Sequence, residues 1–416
     1  MSITKQYIIL MKAVICFFVL ITSVCNAQIK LGTWRGVLVL NVKDKIELPF
    51  NFEIKNLNGN KIIIIQNAEE KILVDEITIN KDSFNFKMPV FDSEFKTKLI
   101  GDTALIGVWI NHARTENNEV NFSAQYGKSN RFELPQNISN PFYNGKWEVT
   151  FSPNQMDSSK AIGVFNCGIT SNGLTGTFLT ETGDFRYLDG KVSDGKLYLS
   201  CFDGSHAFLF IADNNKSEIV NGHFYSGIHW HEKWEAKRNS AFSLTDPEQL
   251  TGLVKPNEKI DFSFLNLEKK KISISDKRYN NKPVIIQIMG SWCPNCIDET
   301  AYLSDIYSRY NPKGLEIISI CYERTADFEK AKMNLLRLKK RYNLKHELLI
   351  TGLTGKESAE KSLPFLNHVK AFPTTLVLDK NHEVKIIHTG FSGPATGIEF
   401  ENFKHRFEKV IVQITK

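Results

Sequence analysis

Two hydrophobic rhythms divide this chain of 416 residues. From residue 28 to about 240, apolar and polar residues alternate over short segments such as GVLVLNV, KIIIIQ, SFNFKMPVF, KLYLSCF and HAFLFIA. Alternation at period two turns one face of a strand toward a core and the other toward water. Asn58-Gly59, Asn172-Gly173, Asp189-Gly190 and Asp194-Gly195 punctuate the segments as turns. This half therefore predicts an all-β region. It also carries an internal repeat. Gly32-Thr33-Trp34 opens one copy and Gly145-Lys146-Trp147 the next. Phe91-Asp92-Ser93 follows Trp34 by 57 residues, and Phe202-Asp203-Gly204 follows Trp147 by 55. Each copy then has a glycine-aromatic strand, Gly107-Val108-Trp109 or Gly222-His223-Phe224. The reading is two tandem β-barrel or sandwich modules, residues 28–136 and 137–240, lipocalin-like in outline. One continuous two-part sheet is the alternative.

Residues 241–255 read as a linker, and the second rhythm begins at 256. The run 282–289 (KPVIIQIM) is mostly apolar and β-branched, the mark of a buried strand. Gly290-Ser291 ends it. Ile297, Ala301, Leu303, Ile306, Tyr307 and Tyr310 then form a helical stripe. Phe328, Ala331, Leu335, Leu338 and Tyr342 mark another helix, and Phe400, Phe403, Phe407, Val410, Ile411 and Ile414 the last. Residues 355–369 predict a short inserted helix interrupted at Pro364. Residues 376–378 and 384–387 predict a closing hairpin. The whole is multidomain, an all-β region followed by an α/β domain over 256–416.

Between the buried strand and the first helix stands Trp292-Cys293-Pro294-Asn295-Cys296. Two cysteines at this spacing either hold a metal or exchange disulfides. A zinc site needs two more Cys or His ligands, and the chain has no second Cys pair. A strand–motif–helix setting is where a thioredoxin fold carries its redox dithiol. A helix N-terminus offers unpaired N–H groups. With Cys293 as N-cap, its sulfur is placed to accept from Asn295 and Cys296, and Pro294 falls at the first helical position. Cys293 is then the attacking sulfur, and Cys296, one turn in, resolves the mixed disulfide.

The block from Gly290 to Glu299 resembles the active site of the TlpA/ResA-like thiol-disulfide oxidoreductases, exported thioredoxin-fold proteins of bacteria. AFPTTLVLDKNHEVKIIHTGFSGPATG (371–397) is similar to that family's second signature, especially in its Bacteroidetes members. The resemblance covers about 255–416 and leaves residues 28–240 unassigned. It implies that Phe372-Pro373 is a cis-proline segment facing the dithiol and docking substrate. It implies that Trp292 walls the site and that Glu299 handles protons. A solvated first-turn carboxylate serving the helix dipole is the other reading of Glu299. Gln287 stands where many thioredoxins have a buried acid, and Pro294-Asn295 is not the common dipeptide. The direction of electron flow is thus not written in the motif. The resemblance favours a reductase that takes electrons from a membrane thiol donor and passes them to client proteins with cysteines or disulfides, apocytochromes among them. No cofactor is implied. A ligand- or protein-binding β module with a structural CxxC is the rival reading. A peroxidase of the related peroxiredoxin type lacks its Thr-x-x-Cys block here.

Residues 1–27 have the layout of a secretory signal peptide, with an apolar run at 13–24 and cleavage expected after Ala27. The destination is then the periplasm or cell envelope; a lipid anchor on Cys25 is the alternative. Two of the six net positive charges, Lys5 and Lys12, lie in the leader, so the remainder carries +4 with its basic residues scattered. Nucleic-acid binding has no support. Of seven cysteines, Cys16 and Cys25 leave with the leader. Cys167 and Cys201 are either a structural bridge or two thiols on neighbouring strands, and Cys321 reads as an inert buried thiol. His229 and His231, at i and i+2 of one strand, either share a metal or are ordinary half-buried imidazoles, with His206 and His223 nearby. A ligand of the β region stays open as a partner.

Overall fold

The period-two rhythm of the N-terminal half folds into two separate nine-stranded sheets rather than one continuous sheet. The computed structural model describes residues 28–135, 141–168 and 173–416; the leader expected over 1–27 lies outside the described residues, as does Asn172 of one turn. In the first sheet, strand Gly32–Asn41 pairs antiparallel with both Ile46–Leu57 and Glu119–Tyr126, so the meander returns on itself. Its two edges, Glu70–Val74 and Glu76–Asn80, are consecutive in the chain, and the barrel is near-closed. The second sheet closes fully, because Ser159–Cys167 pairs with Gly173–Thr180 as well as with Gly145–Phe151. Alternation works as expected from the pattern: along Ser93–Ile100 every second residue is buried.

The repeat is visible in side-chain detail. Trp34 and Trp147 are both fully buried. Each indole N–H donates to the carbonyl four residues earlier, Lys30 at 3.0 Å and Tyr143 at 2.8 Å. Strand Lys196–Phe202 pairs with Leu188–Ser193 and Ala207–Asn214, not with Ser159–Cys167. Cys201 and Cys167 are therefore separate thiols, and the expectation of neighbouring strands is corrected.

The barrels share a core. Phe202, Ala207 and Leu209 of the second barrel belong to the apolar cluster of the first. The Phe202 ring stacks on Phe50 at 4.7 Å. Polar stitches run beside it. The Asn67 amide donates to the Phe202 carbonyl at 2.9 Å and accepts its N–H at 3.2 Å. Buried Arg131 donates to the Gln66 carbonyl and the Ser200 hydroxyl, and its Nε lies 3.2 Å from Asp189. These bonds satisfy groups that the apolar contact would otherwise strand without water.

The C-terminal region is an α/β thioredoxin-like domain. Strands Val284–Met289, Glu316–Cys321 and Glu347–Ile350 run parallel. Thr374–Leu378 and Val384–Thr389 add an antiparallel hairpin on one side, and Ser263–Asn266 with Lys271–Ser273 another on the other. Helices α1 (Pro294–Tyr310) and α4 (Ile398–Ile414) pack together through Tyr302, Phe403 and Phe407. Helix α2 (Phe328–Tyr342) buries Ala331, Leu335 and Leu338 in the other cluster of the sheet. The inserted helix α3 (Gly355–Ser362) stops just before Leu363-Pro364. Val90 of the first barrel joins this domain's core. Among the described residues, no helix is long and apolar enough to cross a membrane.

Replacing Arg131 with Ala removes one partner of a nearly buried pair and leaves the Gln66 and Ser200 groups without a donor. We expect a loss of about 3 kcal/mol, the low end for broken buried pairs because Asp189 is partly exposed. The denaturant midpoint of the barrel region should fall; an unchanged midpoint would show that Arg131 does not hold the barrels together.

Candidate functional site

Cys293 caps α1 as the sequence leads one to expect. Its backbone is extended (φ −99°, ψ 111°), Pro294 follows at the first helical position, and its sulfur accepts the Cys296 N–H at 3.3 Å. Cys293 is 8% exposed and Cys296 fully buried. Burial, with the adjacent Cys293 and Glu299, pushes the Cys296 thiol well above its ordinary range. The Phe372–Pro373 peptide is cis, and the Cys293 sulfur lies 3.5 Å from the Phe372 carbonyl. Trp292 anchors its indole N–H on the Tyr322 carbonyl at 2.9 Å and meets Phe372 edge-on at 6.0 Å. All six residues singled out from the sequence, Trp292, Cys293, Cys296, Glu299, Phe372 and Pro373, thus converge.

Glu299 is not a solvated carboxylate. It is 1% exposed. Its Oε2 accepts from the Gln287 amide and the Thr375 hydroxyl, both at 2.9 Å. Burial pushes its pKa up to about 7, with those two bonds pulling the other way. A carboxyl group tuned there both takes and gives a proton near neutrality. Gln287 extends the network. Its amide N–H also reaches Thr300 at 3.1 Å, and its carbonyl accepts from Ser319 at 2.9 Å. Ser319 in turn pairs with buried His346 at 3.1 Å. The position that commonly holds an acid here holds the residue that orients Glu299.

No local pattern in the chain announces that the second barrel roofs this site. The Asn295 amide, oriented to satisfy both bonds, accepts the Asp184 N–H at 2.9 Å and donates to its carbonyl at 3.3 Å. Gly183 sits at φ +147°, and a Cβ there would lie 1.5 Å from the end of the Asn295 side-chain amide. Only glycine allows so close an approach. The buried Asp184 carboxylate accepts the Gly393 N–H at 2.6 Å and the Arg186 N–H at 2.7 Å. Burial, then Asp298, pushes its pKa up to about 6. The Arg186 guanidinium contacts Glu70 at 2.5 Å, lies 3.6 Å from Asp203, and pairs with Asp298, two residues after Cys296. Three parts of the chain thus meet on one cation. Glu70 and Asp298 lie more than a hundred residues from Arg186, so no local spacing announces the cluster.

The histidines do not gather as expected. The strand begins at Trp230, so His229 lies in the preceding turn and points to Arg114 at 2.8 Å. His231 stacks instead with His223, ring nitrogens 2.9 Å apart. His206 pairs with Asp203 at 3.2 Å. Among the described residues no group of three or more His, Cys, Asp or Glu is placed to hold a metal.

Residues 256–387 match the model of the AhpC/TSA family. The chain is 29% identical over 132 residues to the thiol-disulfide oxidoreductase ResA of Geobacillus thermodenitrificans, covering 31% of this chain and 66% of that protein. The ResA of Bacillus thuringiensis subsp. konkukian is 27% identical over 155 residues, 37% of this chain and 75% of that one. The C-terminal region is a ResA-like thioredoxin-superfamily domain. The chain spans just under two thirds of the length of the first curated ResA relatives it matches, 66%. Among solved structures, the thiol-disulfide oxidoreductase from Bacteroides fragilis is 19% identical, over 34% of this chain and 96% of that one, with a TM-score of 0.27. A thioredoxin-family thiol:disulfide interchange protein from Chlorobium tepidum is 14% identical over 40% of this chain and all of that one, with a TM-score of 0.29. The ResA-like domain carries the CxxC pair, and residues 28–240 lie outside the matched family model.

The Glu299 carboxyl titrates near 7 when folded and near 4.5 as its ordinary value. A raised acid stabilises the fold below its unfolded value, and that contribution is lost as pH rises through the folded one. Glu299→Gln should therefore leave the reduced chain unchanged at pH 4 but stabilise it at pH 8, by up to about 3 kcal/mol. Denaturant midpoints at the two pH values check this; an equal shift at both would rule out a buried carboxyl titrating near 7.

Proposed function

We propose that this protein is an exported thiol-disulfide oxidoreductase of the cell envelope, acting as a reductase of cysteine-bearing client proteins. The observation that carries the reading is the Cys293 sulfur 3.5 Å from the Phe372 carbonyl beside Pro373, with Glu299 buried behind Cys296. Cys293 attacks a client disulfide, and one client thiolate leaves. Cys296 then attacks the Cys293 sulfur and releases the second. Its proton passes to the Glu299 carboxylate, which the Gln287 and Thr375 bonds hold in place. Phe372 and Pro373 present backbone beside the exchanging sulfurs, and Trp292 walls the site.

The reducing direction is supported by the burial of Cys296. A thiol pushed up in this way is a poor leaving group, so the internal disulfide resists reduction and the dithiol gives up electrons readily. Electrons to restore it come, in this reading, from a membrane thiol donor. The signal-peptide layout of residues 1–27 and the Bacteroidetes-like signature over 371–397 support an envelope location and that branch of the ResA-like proteins.

A Cys296→Ser variant keeps the attacking sulfur and removes the resolving one. Mixed with an envelope extract, it should accumulate reducible adducts on Cys293 well above a Cys293→Ser control. Equal, background labelling of both would count decisively against the reading. The reduction potential of the pair should lie near about −270 mV, with reductants, rather than near about −120 mV, with oxidants.

A further inference from the structure

Beside the dithiol lies a cleft of about 230 Å³ whose walls come from all three domains. Cys293, Trp292 and Phe372 form its floor, Phe185 and Phe208 of the second barrel an apolar wall, and Arg114 of the first barrel reaches in opposite Arg324. A second cleft of about 530 Å³, running toward α2, shares Asn111, Ser205, Trp292 and Arg324 with it. The two clefts adjoin at these residues, and Cys293 lines the first.

The two guanidiniums are the unusual feature. Arg324 lies over the Trp292 ring at 4.5 Å and donates to the Ala113 carbonyl at 3.2 Å. Arg114 donates to His229 at 2.8 Å. A guanidinium has no acceptor atom, so His229 is the acceptor there. Burial and the neighbouring arginines hold its pKa down at about 4, so it brings no negative charge and stays neutral. Burial and the Arg324 charge lower Arg114 too. Among the described residues neither arginine forms an ion pair. The nearby carboxylates are engaged elsewhere: Glu70 and Asp298 with Arg186, Asp203 with His206, Asp184 with two backbone N–H groups, and Glu323 with Ser291 at 2.6 and 2.8 Å. Cys293 and Glu323 favour the Arg324 charge, whereas Arg114 has burial and Arg324 against it, so a bound carboxylate brings charge-assisted bonds that Arg114 otherwise lacks.

We propose that Arg114 and Arg324 select the client: an extended polypeptide segment whose disulfide-bonded cysteine is flanked by an acidic residue. The inference rests on the exchange reading above and names its substrate class. Cys293 is 8% exposed beneath the second barrel, which suits an extended segment better than a folded surface. The carboxylate docks between the arginines as the substrate sulfur reaches Cys293. The substrate S–S bond then breaks, a mixed disulfide forms, and Cys296 closes the internal disulfide. Two electrons and two protons pass from the dithiol to the client cysteines, and an external dithiol restores the protein.

The test uses the full chain, reduced with dithiothreitol and desalted, in single-turnover reactions quenched with acid and read by mass. Three short disulfide-linked peptides differ only in the residue after cysteine: Asp, Ser or Lys. We expect the Asp peptide to react at least about tenfold faster than the Lys peptide, with the difference shrinking as salt rises. Arg114→Gln should collapse that ratio, and Arg114→Lys should retain most of it. Equal rates for the three peptides, or a ratio unchanged in Arg114→Gln, would overturn the preference alone. No exchange with any peptide would overturn the exchange reading and the preference with it. Glutathione disulfide supplies carboxylates without a flanking chain; its reduction faster than the Asp peptide would overturn the polypeptide part of the proposal.

Discussion

One buried cation, Arg186, holds the working arrangement of this molecule together. Its guanidinium gathers Glu70 from the first barrel, Asp203 from the second and Asp298 from the helix that carries the dithiol. Taking such charges out of water is expensive, and mutual attraction repays the cost only with good geometry and additional bonds. The site meets that demand in three ways. The carboxylates outnumber the arginine, so Arg186 is held well above its already high ordinary value despite burial. Burial pushes the Asp298 carboxyl up, and its pairing with Arg186 pulls it back down. Asp203, buried as it is, is held down by His206 and Arg186 and remains the fixed counter-charge. That constellation ties both barrels to the dithiol domain at one point, beside the Asn295–Asp184 and Gly393–Asp184 bonds.

The chemistry of the site was more legible in the sequence than its architecture. The cysteine pair, Glu299 and Phe372-Pro373 lie in two short segments whose local pattern announces their roles, and they meet around the end of a buried strand. Thr375, which holds Glu299, sits two residues after Pro373 inside the same signature and was within reach of the same reasoning. Gln287 was read only as a missing acid. Its contribution as the orienting amide appears when Ser319, Thr300 and Glu299 are seen around it.

The barrels were legible as strands and as a repeat, because alternation and the Gly-x-Trp openings are local. Their closure and their docking were not. Asp184, Arg186, Arg114 and Arg324 are ordinary polar residues in sequence, and their meaning lies in partners a hundred or more positions away. The i, i+2 inference for His229 and His231 fails for a similar reason: the strand begins one residue after His229, and period two does not hold outside it. Cys167 and Cys201 were likewise placed side by side by proximity in the chain, whereas the barrel puts other strands between them.

The Asn295–Asp184 contact gives the dipeptide between the cysteines a second employment. In sequence those two residues bear on the sulfur chemistry alone. Here one of them is a docking peg, its amide paired with the barrel backbone as a neighbouring strand would be. Swapping Pro294-Asn295 for another dipeptide is consequently not a clean experiment on redox poise, since it alters the affinity between domains in the same stroke. The exchanging sulfurs and the contact with the roof therefore share a single turn of α1.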